Sequence, residues 1–378
     1  MAPEVVNQYI VYTGSGTVGT TLTPEYQTEN TTPNNTVADQ ILSRTDILKI
    51  CIYLVILIMG VIGNGLVIFV TGYKMKTTVN SVWFLNLAIA DFIFVFYLII
   101  NIIVTFNKFV WPFSDLMCKF TSLVAVLNMF ASIFLLTAIS LDRCLCTWLI
   151  VWVQNKRTLN KGRIICISVW ILSICCSIPF TINGSVQELN GLKYCVYNST
   201  NLDVLVSLFT YRFLVGFLIP FLIIASSYIA IGVRVKRLKR GKQLRPLRVI
   251  LSVILGFFIC WFPLHVQHLC HLSAVKYNWS DSVQKVIYSA GPFIQCLVFL
   301  NSCLNPILYV FMCDEYKTKL KKSLLLVFEA AFSEEHLRYL TSRRSTSCYS
   351  VSLQGEFGKQ TNDTTISSSG SGQGRTSF

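Results

Sequence analysis

The chain has 378 residues, is 53% hydrophobic and only 13% charged, and carries a formal net charge of +14. A soluble globular protein carries about 25% charged residues, so a set of soluble domains is excluded as the main architecture. The basic excess is clustered between long apolar runs, which marks membrane topology and gives no support to nucleic acid binding.

In chain order, residues 1–46 form a polar tail rich in Thr, Asn and Pro. It lacks the apolar run of a cleavable signal peptide and is expected to be extracellular, glycosylated and disordered. A membrane-spanning helix needs about 20 apolar residues. Residues 50–73 hold no charge, 77–107 only Asp91, 120–141 none, 164–187 none, 204–233 only Arg212, 249–275 none and 286–313 none. These runs predict an all-α membrane protein, a bundle of seven transmembrane helices over 47–312, because lipid offers unpaired backbone groups no partner. After them, "DEYKTKLKKSLLLVF" at 314–328 alternates basic and apolar positions. That pattern predicts a short amphipathic helix over 313–330 lying against the membrane lipids. Residues 331–378 are rich in Ser and Thr and read as a cytoplasmic tail.

Orientation follows from the basic residues. Lys74 and Lys76 follow the first run, Lys156, Arg157, Lys161 and Arg163 follow the third, eight Lys and Arg residues from Arg234 to Arg248 follow the fifth, and Lys317, Lys319, Lys321 and Lys322 follow the seventh. The alternate loops hold few, among them Lys108, Lys193, Lys276 and Lys285. Positive loops stay cytoplasmic, so the N-terminus is expected outside a plasma membrane and the C-terminus inside. Glycosylation triplets at Asn30, Asn34, Asn183, Asn198 and Asn278 all fall on the outer side of that topology. Cys118 starts the third helix and Cys195 lies in the loop after the fourth; both face the oxidising side and predict a disulfide.

Ionisable and polar groups at membrane depth are costly and point to function. Asp91 is the sole charge of the second helix, Asn128 and Ser132 share a face of the third, and Asn301, Ser302 and Asn305 add oxygens from the seventh. One carboxylate among neutral oxygens suits a small hard cation such as sodium; a plain polar network between helices is the other reading. No other metal or cofactor is called for. Arg212 should face the bundle interior. His265 and His268 share a face of the sixth helix, and Gln295 is expected opposite them. Val126 and Met129 line the upper third helix in place of the acid an amine ligand would need. Such a basic pocket suits a ligand carboxylate, from a peptide end or from an acidic lipid, because arginine grips one with two parallel bonds. No nucleophile–base set is suggested by spacing, so no enzyme is expected.

The order of "GN" at 63–64, "LNLAIAD" at 85–91, Cys118, "DRC" at 142–144, Trp170, Pro220 with Tyr228, "CWFP" at 260–263 and "NPILY" at 305–309 resembles the rhodopsin-like (class A) G-protein-coupled receptors. Within them, "WPF" at 111–113, "NMFASIFLLTAISLDRC" at 128–144, "VWVQNKRT" at 151–158, "RPLRV" at 245–249 and "NPILYVFM" at 305–312 resemble the chemoattractant group of formyl peptide, chemerin and complement anaphylatoxin receptors. "VWFLNLAIADF" and "NMF" are nearest the chemerin-type branch. Arg212 matches an arginine that formyl peptide receptors use in their pocket, whereas Val126 stands where they carry an acid.

The resemblance implies a cell-surface receptor for an extracellular peptide or protein chemoattractant, coupled to a heterotrimeric G protein of the inhibitory class and driving chemotaxis and inflammatory signalling. It implies that Asp142, Arg143, Tyr228, Phe257, Trp261, Pro263 and Tyr309 form the activation switch, with Trp261 also among the ligand-binding residues. It also implies shutdown by receptor kinases and arrestin, for which Ser345, Thr346 and Ser347 are candidate phosphorylation sites. A non-signalling scavenger or decoy receptor is the alternative from another class.

Overall fold

The structure, a computed structural model, describes residues 44–149, 153, 155–189, 191–197, 202–237 and 244–312. Seven helices there are long and apolar enough to cross a membrane, and the chain is a multi-pass membrane protein. The first helix runs Arg44–Phe69 and closes on a π turn, Val70–Lys74; the second runs Val79–Phe106, the third Asp115–Trp148 and the fourth Leu159–Asn183. The fifth span is Leu202–Phe213, a π turn Leu214–Leu218, then Ile219–Arg237. The sixth helix is Leu244–Lys276 and the seventh Asp281–Met312.

The starts of three helices are set by side-chain caps, which satisfy amides that have no partner inside the helix. Thr78 Oγ1 accepts from Ser81 N (3.1 Å) while Ser81 Oγ accepts from Thr78 N (2.8 Å), a reciprocal box at the second helix. Ser114 caps the third helix and Thr158 the fourth, each accepting from an amide three residues on (3.4 Å). Pro179, Pro263, Pro292 and Pro306 sit inside helices and each removes one backbone bond.

Between the fourth and fifth helices the chain forms an antiparallel hairpin, β1 (Gly184–Leu189) and β2 (Leu192–Tyr197), with Gly184 opposite Tyr197 and Glu188 opposite Lys193. The disulfide Cys118–Cys195 ties β2 to the start of the third helix, and Asp115 Oδ1 accepts from Val186 N of β1 (2.8 Å). The hairpin therefore marks one end of the bundle, and Arg143 marks the other.

The third helix is the most buried of the seven and forms the axis of the bundle. Polar bonds tie the others around it. Asn64 Nδ2 donates to Ser302 O (2.8 Å), joining the first helix to the seventh. Trp170 Nε1 donates to Asn86 Oδ1 (3.0 Å), joining the fourth to the second. Trp148 Nε1 donates to Ala230 O (3.1 Å), joining the third to the fifth. Small residues permit the close approaches between helices: a Cβ on Gly60 would lie 2.5 Å from Val95 Cγ2. Large apolar side chains such as Ile58, Ile167, Ile229 and Ile259 cover the outer faces, as lipid contact requires.

Candidate functional site

At the hairpin end Arg212 is only 3% exposed, deep among the third, fourth and sixth helices. Its Nε donates to Met129 Sδ (3.4 Å), and its guanidinium carbon lies 5.8 Å from the Phe180 ring centroid and 5.9 Å from that of Trp261. Arginine is suited to such ring faces. His265 and His268 are buried within electrostatic reach of Arg212. His268 lies tilted against Phe209 (4.9 Å between ring centroids) and His265 against Phe217 (5.0 Å). The predicted ligand residues Arg212, His265, His268, Met129 and Trp261 are thus brought together, and Val126 is fully buried on the third helix. Gln295 is half-buried, and among the described residues no hydrogen bond joins it to either histidine. Gln267 makes the link between the sixth and seventh helices instead, donating to Ile287 O (3.0 Å).

A cleft of about 40 Å³ opens beside the hairpin, lined by Tyr97, Asn101, Phe109, Trp111, Thr121 and Tyr197 among others. Lys49, 4% exposed, places its ammonium 4.8 Å from the Phe109 centroid. Phe109 reaches that position because it and Lys108 adopt φ of 68° and 52°, a left-handed turn that is uncommon for side-chain-bearing residues. Motif reading did not single out these residues: the turn has no glycine or asparagine at the left-handed positions to announce it.

Below Arg212, Trp261 stacks on Phe257 (5.8 Å) and meets Phe94 (6.4 Å), which stacks on Phe299 (4.9 Å). This aromatic layer separates the upper site from a polar one. There Asn305 Nδ2 donates to Asp91 Oδ2 (2.6 Å). Asp91, Asn128, Ser132, Asn301, Ser302 and Asn305 are all buried. Among the described residues, Asp91 Oδ1, both side-chain polar atoms of Asn128, Ser132 Oγ and Ser302 Oγ find no hydrogen-bond partner. Buried polar atoms left unpaired are costly, and this oxygen-rich set fits a small hard cation with water.

At the far end, Asp142 and Arg143 pair directly, each about one-seventh exposed. Two residues beyond the predicted set complete a closed ring. Arg157 grips Asp142 with Nε on Oδ1 (2.7 Å) and Nη2 on Oδ2 (2.9 Å). Asn80 Oδ1 accepts from Arg143 Nη2 (2.5 Å) and from Arg157 Nη2 (2.7 Å). Burial works against the charge on Arg157, and its bonds to Asp142 more than offset that, so its pKa lies above the ordinary arginine value. Tyr228 Oη is buried with no hydrogen-bond partner among the described residues, within electrostatic reach of Arg143. Spacing could not have found Arg157 or Asn80, because Arg157 reaches Asp142, and Asn80 the two arginines, from other parts of the chain; their only signal was a basic residue and an amide beside helix caps.

Asn278 is exposed in a turn with φ of 49°, whereas Asn183 ends the fourth helix and spends its amide nitrogen on Pro179 O (2.7 Å). Asn30, Asn34, Asn198, Ser345, Thr346, Ser347, the 313–330 helix and the Tyr309 side chain lie outside the described residues. Among the described residues no cluster of three His, Cys, Asp or Glu side chains is placed to hold a metal ion.

Seven helices around a buried third, a disulfide-anchored hairpin at one end and an aspartate–arginine pair at the other define a heptahelical receptor, and this chain belongs to the rhodopsin family of seven-transmembrane receptors. Residues 63–309 match the family described as "7 transmembrane receptor (rhodopsin family)". The chain is 37% identical to the C3a anaphylatoxin chemotactic receptor of Danio rerio, over 82% of this chain and 84% of the relative. It is 36% identical to the Chemerin-like receptor 1 of Bos taurus, over 81% and 88%, and 36% identical to the Formyl peptide receptor 2 of Mus musculus, over 80% and 89%. These are chemoattractant-type receptors, and the family is one of receptors rather than enzymes.

Proposed function

We propose that this chain is a plasma-membrane receptor, N-terminus and hairpin outside, that binds a peptide or small protein chemoattractant through its carboxylate end and activates a heterotrimeric G protein of the inhibitory class. The observation that carries the reading is Arg212, buried 3% exposed beneath the hairpin among two histidines and two aromatic faces. Desolvated arginine is the side chain best suited to a fork of two charge-assisted bonds with a carboxylate. The relatives named for C3a and chemerin support a polypeptide ligand over an acidic lipid.

Signalling is proposed to run from Arg212 through Trp261 and Phe257 to Arg143. Pro263, within the sixth helix, weakens its backbone ladder and lets the half bearing Trp261 pivot. Outward movement of that helix frees Arg143 for the G protein and for the hydroxyl of Tyr228, with Tyr309 as a further partner. A sodium ion with water is proposed to sit on Asp91, Asn128 and Ser132, holding the resting packing. Kinases and arrestin are proposed to act on the tail at Ser345, Thr346 and Ser347.

The test is nucleotide exchange on a purified inhibitory-class heterotrimer, with cells first screened against C-terminal peptides of chemerin and C3a, formyl peptides and acidic lipids. Arg143→Ala is expected to abolish exchange and leave surface expression intact. Retained exchange would refute the switch, and uptake of the peptide without exchange on any G protein would mark a decoy.

A further inference from the structure

Neighbouring residues of a helix do not face each other, so Asp142 and Arg143 are an awkward pair. The carboxylate is turned to a better partner. A carboxylate offers about four lone-pair sites on its two oxygens. Here three N–H groups use them, one from Arg143 and two from Arg157. Arg157 takes one bond on each oxygen, at 2.7 and 2.9 Å, the parallel fork in which arginine binds a carboxylate most strongly. Arg143 shares one oxygen of Asp142 and one of Asn80 through a single nitrogen.

The four residues are held by the architecture. Arg157 immediately precedes Thr158, the cap of the fourth helix, and Asn80 lies in the first turn of the second helix, inside the Thr78–Ser81 box. Neither belongs to the sixth helix. Movement of that helix therefore leaves the Arg157–Asp142–Asn80 arrangement in place.

We propose that Arg157 is the standing partner of Asp142 and acts as a positioning residue that makes Arg143 releasable. When Arg143 leaves, Asp142 keeps two charge-assisted bonds and Asn80 keeps one. Without Arg157, the same departure leaves a mostly buried carboxylate with no cation on it, which is the costly way to break an ion pair. Asp142 then holds Arg143 as its only partner, and activation is opposed. The proposal rests on Arg143 being the switch and extends it. It differs from a simple resting-state lock in sign: a lock residue restrains activity, whereas Arg157 supports it.

The experiment uses the full chain in membranes, matched for receptor number, with the purified inhibitory-class heterotrimer as probe and agonist-free nucleotide exchange as readout. Arg157→Gln is expected to lower the exchange rate about tenfold, the equivalent of one charge-assisted hydrogen bond lost on release. Arg157→Lys, which keeps the charge and loses the fork, is expected to fall between. In an Asp142→Asn background, where no carboxylate can be stranded, Arg157→Gln is expected to have no effect. A rise in exchange with Arg157→Gln overturns the proposal, because Arg157 would then restrain Arg143. No change overturns it too. An equal fall in the Asp142→Asn background also overturns it, since Arg157 would then be touching the G protein or supporting the fold. Arg143→Ala in parallel separates the two readings: its failure to abolish exchange sinks the switch itself, while its success with an unaffected Arg157→Gln sinks only the role given to Arg157.

Discussion

Replacing Arg212 by alanine removes a guanidinium that is 3% exposed and whose contacts include a thioether and two ring faces. If a ligand carboxylate forks onto it, two charge-assisted bonds are lost, each worth about 1.5–3 kcal/mol. Water entering the vacated space recovers part of that, leaving a loss of about 2–4 kcal/mol, or about 30-fold to 700-fold in potency. The fold should survive, because the change takes a charge out of the membrane interior. The assay compares a chemerin C-terminal peptide as free acid and as amide, on the parent chain and on Arg212→Ala, by stimulated nucleotide exchange. The free acid should lose its advantage over the amide in the variant. An advantage of the same size in both chains would show that the carboxylate is bound elsewhere.

The remaining expectations concern the frame and the polar layer. Replacing choline by sodium in the buffer should lower agonist affinity in the parent chain, and Asp91→Asn should erase that difference; persistence of the sodium effect would remove the ion from Asp91. Gly60→Ala places a Cβ 2.5 Å from a methyl of buried, β-branched Val95, which has little rotamer freedom to yield. It should cost about 1–3 kcal/mol, read as a lowered melting temperature in detergent. Cys195→Ser opens a link between residues 77 apart and should cost about 2–5 kcal/mol, read as reduced surface expression and lost peptide binding.

The bundle was legible because charge is so expensive in lipid: seven uncharged or singly charged runs can be read by eye, and the structure places a helix on each. Arg212 and Asp91 were legible for the same reason, as lone charges in apolar runs. The hairpin was not predicted, although "NG" at 190–191 is a turn dipeptide and Gly191 takes a φ of 76°. Its strands are only six residues each, too short to stand out beside membrane helices. Arg157 and Asn80 were illegible for another reason: their meaning lies in a ring closed across three helices, and sequence spacing records only one helix at a time.

The π turn at Leu214–Leu218 adds a geometrical consequence. Arg212 and Tyr228 lie sixteen positions apart on the fifth span. At about 100° per residue, an unbroken α-helix would aim them about 160° apart, one into the bundle and the other toward lipid. A π turn accommodates one extra residue and takes back roughly 90–100° of that angle, leaving about 60–70°. The bulge thus sets the phase between the half bearing Arg212 and the half bearing Tyr228 of a single helix. Deleting one residue from 214–218 would leave fifteen positions of regular helix, about 60° of phase, and so would remove the bulge while Arg212 and Tyr228 both kept their aim.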